Sequence, residues 1–129
     1  MVYVLDTHVL IWFLEGNKRL SAAAKTILTD TAAQLVIPTL VLAEAAYLYA
    51  RKRTSVGIDR ILTEIASAEN CTVYPLDERV AAHVSGNLDL HDAIIVGTAI
   101  VYRDVLGKEV AIVTRDEMIA RSGLVPVVW

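Results

Sequence analysis

Short apolar runs alternate along the chain with longer stretches in which apolar residues recur at helical spacing. The runs at 2–5, 35–37, 72–74, 110–113 and 125–128 are rich in β-branched residues, which is typical of strands buried on both faces of a parallel sheet. The helical stretches predict helices over 7–14, 22–29, 40–53, 58–69, 78–84, 92–105 and 116–121. This alternation predicts an α/β fold, a three-layer α/β/α sandwich with a mainly parallel central sheet.

Residues at the predicted helix boundaries favour the same assignment. Ser21, Thr39 and Asp77 stand where an N-cap is expected, and Ser55 or Gly57 opens the helix over 58–69. These residue types accept hydrogen bonds from the free N–H groups of the first turn or adopt its entry geometry. In open parallel sheets of this kind the binding crevice lies at the carboxyl ends of the strands.

Length and composition bound the class of protein. With 129 residues we expect one domain over 1–129, and 55% hydrophobic with 21% charged residues excludes disorder. Uncharged runs are too short to span a membrane, and the first residues carry no secretion signal, so we expect a cytoplasmic protein without a membrane segment. The single Cys71 cannot form an internal disulfide or a cysteine metal site, and it is predicted to be a small buried hydrophobe.

The charge balance does not by itself identify a partner. Twelve basic against fifteen acidic residues is a net charge of −3, whereas nucleic-acid-binding proteins usually carry a basic excess. If four of the acids belong to a metal site, however, the remaining surface is close to neutral. Whether the protein binds nucleic acid therefore depends on where the acids lie and not on the net charge.

Three aspartates are predicted to lie at one edge of the sheet. Asp6 follows the first strand directly, Asp116 comes shortly after the fourth strand, and Asp92 is predicted to open a strongly apolar helix. Each has an ordinary alternative role as a helix N-cap, which is the commonest role of an aspartate at a helix start. Asp89, three residues before Asp92, is predicted to lie in a loop.

Glu44 lies in the second turn of an apolar helix, with no charged residue within six positions on either side. We expect this carboxylate to be buried or half-buried, where an unpaired charge costs several kcal/mol. A salt bridge with Arg or Lys is one solution. Because four acids in one region would repel one another, a shared Mg²⁺ or Mn²⁺ ion is the simpler one. Acidic metal clusters in small α/β domains are typical of phosphodiester hydrolysis.

The motifs around these acids resemble the PIN domain, and specifically the VapC toxins of bacterial and archaeal toxin–antitoxin pairs. The similar segments are Val4–Trp12, Pro38–Leu48, Leu90–Ala99, Ile112–Glu117 and Val125–Trp129, which span almost the whole chain. The resemblance implies a PIN-like fold and an endoribonuclease in which Asp6, Glu44, Asp92 and Asp116 bind Mg²⁺ or Mn²⁺. It also implies a homodimer and inhibition by a cognate antitoxin protein. Ala93 differs from the Arg that relatives often carry at this position.

Further residues are assigned supporting roles. Thr7 and Thr114 lie at the predicted edge, where a hydroxyl can orient a carboxylate, or they are ordinary strand-end threonines. Arg51, Lys52 and Arg53 form the densest basic cluster, which either contacts RNA or the antitoxin or only complements a helix end. Lys18, Arg19 and Arg115 can add to this surface.

Other functions stay open on the sequence. Three histidines could support cleavage without metal, although His83 is predicted to be a packing residue and His8 and His91 to line the site without an essential role. A DNA-directed or structure-specific nuclease would use the same four acids. A non-catalytic binding module is disfavoured, because nothing would then favour Glu44 in an apolar helix.

Overall fold

Five strands and seven helices alternate in a computed structural model that describes all residues, Met1–Trp129. The strands are β1 (Val2–Leu5), β2 (Gln34–Pro38), β3 (Cys71–Tyr74), β4 (Val110–Val113) and β5 (Val127–Val128). The helices are α1 (Thr7–Glu15), α2 (Ala22–Thr29), α3 (Thr39–Ala50), α4 (Ile58–Ser67), α5 (Glu78–Ala82), α6 (Leu90–Ile100) and α7 (Glu117–Ser122), and a π-helix over Val101–Val105 continues α6.

The five strands form one sheet in the order β3-β2-β1-β4-β5, and every neighbouring pair is parallel. Side chains of α1, α2 and α4 meet over β1 and β2, whereas α6 packs on β1 and β4. Right-handed crossovers place the helices that precede β3 and those that follow it on opposite faces of the sheet. The predicted three-layer α/β fold is therefore confirmed, and the sheet is wholly parallel.

The direction of the chain across the sheet reverses between β1 and β4. The chain moves outward from β1 to β2 and β3, returns to the other side of β1, and continues to β5. The carboxyl ends of β1 and β4 flank this reversal, which is where parallel sheets form their binding crevice. Asp6 and Thr114 are the first residues after these two strands.

The core is built on the two central strands. Val4 and Ile112 pair in register and have no exposed surface, and they belong to one cluster of 25 buried apolar residues. Such close packing holds the strand ends rigidly, so the residues that follow them have fixed positions. None of the helices is both long and apolar enough to cross a membrane.

The start of α6 differs from the prediction. The helix begins at Leu90, because Asp89 takes the N-cap position, although its side chain makes no capping hydrogen bond. Asp92 is therefore in the first turn of the helix and does not cap it, and Asp89 is the cap residue rather than a loop residue. The regular α-helix ends at Ile100, where the π-helix begins, and not at residue 105.

The boundaries of α3 also differ from the prediction. Pro38 stands in the N-cap position, and Oγ1 of Thr39 instead accepts a hydrogen bond of 3.0 Å from the backbone N–H of Leu76. The helix ends at Ala50 because the chain turns at Lys52, whose φ is +59°. The basic cluster is thus a turn after the helix.

The remaining boundary differences are small. The helices predicted over 58–69 and 78–84 end at Ser67 and Ala82, and the last strand begins at Val127. Three predicted capping positions are confirmed: Ser21 and Asp77 accept from backbone N–H groups of their helices, and Gly57 opens α4.

Candidate active site

Asp6 joins β1 to α1, and both of its carboxylate oxygens accept hydrogen bonds. Oδ1 accepts from the backbone N–H of Thr7 at 2.7 Å, and Oδ2 accepts from Oγ1 of Thr114 at 2.5 Å. Burial raises the pKa of Asp6 above its ordinary value, although the bonds from Thr114 and Thr7 lower it. Asp6 therefore caps α1 and also presents a half-buried carboxylate at the sheet edge.

Asp116 caps α7. Its Oδ1 accepts from the backbone N–H groups of Met118 at 2.8 Å and Ile119 at 3.1 Å, which leaves Oδ2 without a protein partner. The backbone N–H of Asp116 donates to Oγ1 of Thr114 at 2.9 Å. The same hydroxyl donates to Asp6, so Thr114 links the two aspartates and fixes their separation.

Asp92 reaches the same edge from α6. Its carboxylate has no hydrogen-bond partner in the protein. Burial and the negative charges of Asp116, Asp6, Asp89 and Glu44 raise its pKa from 3.8 to about 6. So raised a pKa means that no positive charge near Asp92 offsets the burial and the negative charges around it.

Glu44 approaches from α3, which packs against α6. Its side chain is 25% exposed, so it is half-buried as the apolar helix predicted. Oε2 lies 3.1 Å from Nδ1 of His91, so the hydrogen-bond partner of Glu44 is a histidine, and neither Arg nor Lys pairs with it. The charge of Glu44 still raises the pKa of both Asp6 and Asp92.

Asp6, Glu44, Asp92 and Asp116 thus form an acidic cluster around the point where the sheet reverses direction. In their present rotamers, no three His, Cys, Asp or Glu side chains surround a single point closely enough to hold one ion. The hydrogen bonds give the reason: Asp6 and Asp116 are engaged in capping and Glu44 is turned toward His91.

The donor chemistry of the acidic cluster nevertheless fits a hard divalent cation. Carboxylate oxygens are its preferred ligands, and the mutual repulsion of the four acids is what such an ion relieves. Thr7, the residue after Asp6, is 1% exposed, and its buried hydroxyl has no hydrogen-bond partner. A buried hydroxyl without a partner is unusual, and a water or ion in the site would satisfy it.

The side chains of the three residues in the basic cluster lie in different surroundings. Arg53 lines a depression of about 550 Å³ together with Glu44 and His91. The guanidinium of Arg51 lies 5.8 Å from the ring centre of Tyr47, and Lys52 is exposed in the turn. Only Arg53 therefore lies directly beside the acidic cluster.

Trp12 is a site residue that the sequence analysis did not single out. It lines a depression of about 400 Å³ with Asp6, Asp116, His8 and Arg115. Its position is one turn after His8 on the helix that Asp6 opens, and this spacing is the signal in the sequence that indicates it.

His83 and Cys71 lie outside the site. Nδ1 of His83 contacts the backbone oxygen of Arg79 at 2.8 Å at the end of α5. Cys71 is partly buried against the main core, and burial raises the pKa of its thiol. Both observations agree with the packing roles expected for them.

Comparison with solved structures identifies the fold. The toxin–antitoxin complex from Klebsiella pneumoniae contains a chain that is 20% identical, with a TM-score of 0.69 over 98% of this chain and 96% of that one. VapBC2 from Rickettsia felis, solved bound to a DNA fragment from its promoter, gives 13% identity and a TM-score of 0.68 over 99% and 98%. The PIN domain of T. brucei RRP44 is 14% identical in sequence. Its TM-score is 0.64, over 98% of this chain and 75% of that one.

Comparison of the sequence identifies the family. No curated protein matches the chain significantly. The PIN domain family matches residues 3–123, a range that includes the whole acidic cluster, β2, β3, β4 and all of β1 except Val2. The chain therefore belongs to the PIN domain family.

Proposed function

We propose that this PIN domain nuclease is an endoribonuclease that depends on Mg²⁺ or Mn²⁺ and hydrolyses RNA phosphodiesters, and that residues 1–129 act as a single nuclease domain. The observation that carries the proposal is the electrostatic state of Asp92. Four acidic side chains meet at the switch point of a parallel sheet, and their charges together with burial raise the pKa of Asp92 to about 6. A carboxyl pKa raised by burial and by several like charges in a cleft is typical of a functional site, and a bound cation would relieve the repulsion.

In this proposal Asp6, Glu44, Asp92 and Asp116 hold the ion. A bound divalent ion supplies Lewis-acid polarisation and neutralises the charge that develops on phosphate oxygens during hydrolysis. The chain itself contributes rigidity: Thr114 holds Asp6, and the N-terminal N–H groups of α7 hold Asp116. Thr7 contributes its free hydroxyl at the same edge.

RNA is the substrate that we favour, because the motifs around the acids resemble those of VapC endoribonucleases, and arginines next to the acidic cluster would bind its phosphates despite the negative net charge. Arg115 lines the same depression as Asp6 and Asp116, and Arg53 lines the depression that contains Glu44. Arg51, Lys52 and Arg53 together form the proposed contact for RNA or for an antitoxin. A DNA-directed or structure-specific nuclease would use the same acids, so the substrate has to be measured.

We further propose a toxin role. Support comes from the similarity in fold to chains of two toxin–antitoxin complexes, each aligned over nearly the full length of both chains. On this proposal the protein acts in the cytoplasm as a homodimer, and a cognate antitoxin covers the acidic edge.

A metal titration with two substrates tests the enzymatic proposal. Purified protein treated with EDTA should not cleave unpaired RNA, and cleavage should return with Mg²⁺ or Mn²⁺. A DNA strand of the same sequence serves as the matched substrate and should be cut much more slowly. Mg²⁺ should also raise the melting temperature, a readout independent of activity.

Two results would contradict parts of the proposal. Full RNA cleavage in EDTA would remove the metal mechanism and favour the histidines. Faster cleavage of the DNA strand would assign the same site to a DNA-directed nuclease.

A further inference from the structure

Half of the eight arginine side chains make no hydrogen bond or ion pair within the protein, and three of these four line the depressions at or next to the acidic cluster. The other four have polar partners: Arg60 donates to the backbone of Leu14, and Arg79, Arg103 and Arg121 pair with nearby acids. The unpaired ones are Arg19, Arg51, Arg53 and Arg115. Arginines without a protein partner that gather at one edge are available for an anionic ligand.

Two of these arginines are held by one aromatic ring. The guanidinium carbons of Arg19 and Arg115 each lie 5.9 Å from the ring centre of Trp12, within the range of cation–π attraction. The two residues are 96 positions apart in sequence, so their meeting at Trp12 is a property of the fold. Trp12 is 9% exposed, and it is fixed from its other sides by His8 at 5.6 Å and Trp129 at 6.0 Å between ring centres.

The ring also lies between two depressions. Arg115 lines the depression that contains Asp6 and Asp116, and Arg19 and Arg53 line a neighbouring depression of about 480 Å³. His8 and Trp12 border both. A strand that enters the acidic cluster at Arg115 and crosses the shared border at His8 and Trp12 enters the depression that Arg19 and Arg53 line.

We propose that Trp12 is a positioning residue that holds Arg19 and Arg115 as a clamp for successive phosphates of a single RNA strand next to the bond that is cleaved. The proposal rests on the ribonuclease function proposed above. Arginine suits this role because its planar group can lie against an indole while its N–H groups bind phosphate. On this proposal the indole restrains both guanidinium groups before RNA binds, which would reduce the entropy lost on binding.

The test measures how RNA binding depends on salt. All binding is measured in the Asp92→Asn background, with a short unpaired RNA oligonucleotide that this variant cannot cut. Arg19→Ala and Arg115→Ala should each lower the slope of log affinity against log salt by about 0.7, the value for one phosphate contact on a single strand. Lys108→Ala is the control with the same charge change, because Lys108 precedes β4 at the opposite edge of the sheet, and its slope should not change.

Substitution of Trp12 separates positioning from charge. Trp12→Leu leaves the net charge unchanged but should weaken RNA binding by about fivefold, or roughly 1 kcal/mol, whereas Trp12→Phe keeps an aromatic face and should recover most of the affinity. In the Arg19→Ala, Arg115→Ala double variant, Trp12→Leu should have almost no further effect on binding. A purely structural role would lower the melting temperature without this dependence on the two arginines.

The outcomes separate the two proposals. In the cleavage-competent protein, Arg19→Ala and Arg115→Ala should raise KM and largely preserve kcat. Suppose that the cleavage-competent protein cleaves RNA, but that Arg19→Ala and Arg115→Ala have the same slope of log affinity against log salt as Lys108→Ala. The clamp is then wrong and the nuclease assignment stands. If the unsubstituted protein neither binds nor cleaves RNA in Mg²⁺, the proposed function is wrong and the clamp fails with it.

Discussion

The hydroxyl of Thr114 donates a hydrogen bond of 2.5 Å to the carboxylate of Asp6, which precedes it by 108 residues. The same oxygen accepts the backbone N–H of Asp116. Two acids at the ends of neighbouring strands are therefore held by one buried side chain, which is 1% exposed. This arrangement keeps like charges close together, and several consequences can be measured.

Removal of the Thr114 hydroxyl should reduce activity more than stability. Thr114→Val keeps the shape of the side chain but frees Oδ2 of Asp6, and we expect RNA cleavage to fall by about 10–100-fold, as for other residues that orient metal ligands. Thr114→Ser is the matched control, since it retains the hydroxyl and should retain most activity. Equal activity in the two variants would show that the hydroxyl does not position Asp6.

Asp92→Asn should stabilise the protein without metal. The folded state raises the pKa of Asp92 from 3.8 to about 6, so between these pH values it binds a proton that the unfolded chain has released. Stability in EDTA therefore falls as pH rises through this window, and Asn removes the loss. Melting curves at pH 8 should show the variant several degrees higher, with the difference vanishing toward pH 4.

The control variant is Asp104→Asn, for which we expect the opposite change in melting temperature. The hydrogen bond from Arg103 holds the pKa of Asp104 below its usual range, so that carboxylate stabilises the fold above its ordinary pKa. Asp104→Asn should lower the melting temperature slightly at pH 8. A lower melting temperature for Asp92→Asn at pH 8 in EDTA would mean that Asp92 has a cationic partner in the protein.

Each member of the acidic cluster should be required for cleavage. Asp6→Asn, Glu44→Gln, Asp92→Asn and Asp116→Asn should each lower the rate by at least about 100-fold, because the ion loses a charged ligand. Asp89→Asn is the control, since Asp89 is close enough to affect the pKa of Asp92 but is not assigned as a ligand. Circular dichroism should show an intact fold, and full activity in any of the four variants would remove that residue from the site.

The basic cluster should divide into one strong and two weak contributors. Neutralising Arg51, Lys52 and Arg53 together should weaken RNA binding and reduce its salt dependence, with turnover largely retained. We expect Arg53→Ala alone to account for most of the change, because only Arg53 lines the depression with Glu44. Lys52→Gly should weaken binding only slightly and relieve the positive φ of +59° at this position. An unchanged salt slope in the triple variant would assign the cluster to the solvated turn.

Expression in a bacterium tests the toxin role. The unsubstituted protein should arrest growth when produced alone, and Asp6→Asn at the same level should not. Normal growth with soluble, active enzyme would remove the toxin role and leave the nuclease proposal intact.

The sequence predicts the strands and the positions of the acids well, and for a physical reason. Strands buried on both faces must be continuously apolar, so residues such as Val4 and Ile112 mark them clearly, and the residue after such a strand must lie at the sheet edge. The helix boundaries are predicted less well, because they depend on tertiary contacts. Threonine often caps helices, but Pro38 occupies the N-cap position of α3. The hydroxyl of Thr39 instead accepts a hydrogen bond from the backbone N–H of Leu76.

The side-chain arrangement of the site depends on contacts between distant segments and could not be read from local patterns. His91 as the partner of Glu44 requires α3 and α6 to pack together. The placement of Arg19 and Arg115 on one indole requires the loop after α1 to meet the end of β4. Neither contact leaves a local pattern of residues in the sequence from which it could be predicted.

The central place of β1 in the sheet has a consequence for the newly synthesised protein. On the ribosome, β1 emerges long before β4, so it gains its second neighbour only after residues 110–113 have been translated. Thr114 and Asp116 appear later still. A polypeptide that stops before residue 110 therefore contains Asp6 and Glu44 without Thr114 and Asp116, and on the proposed function we expect it to be inactive.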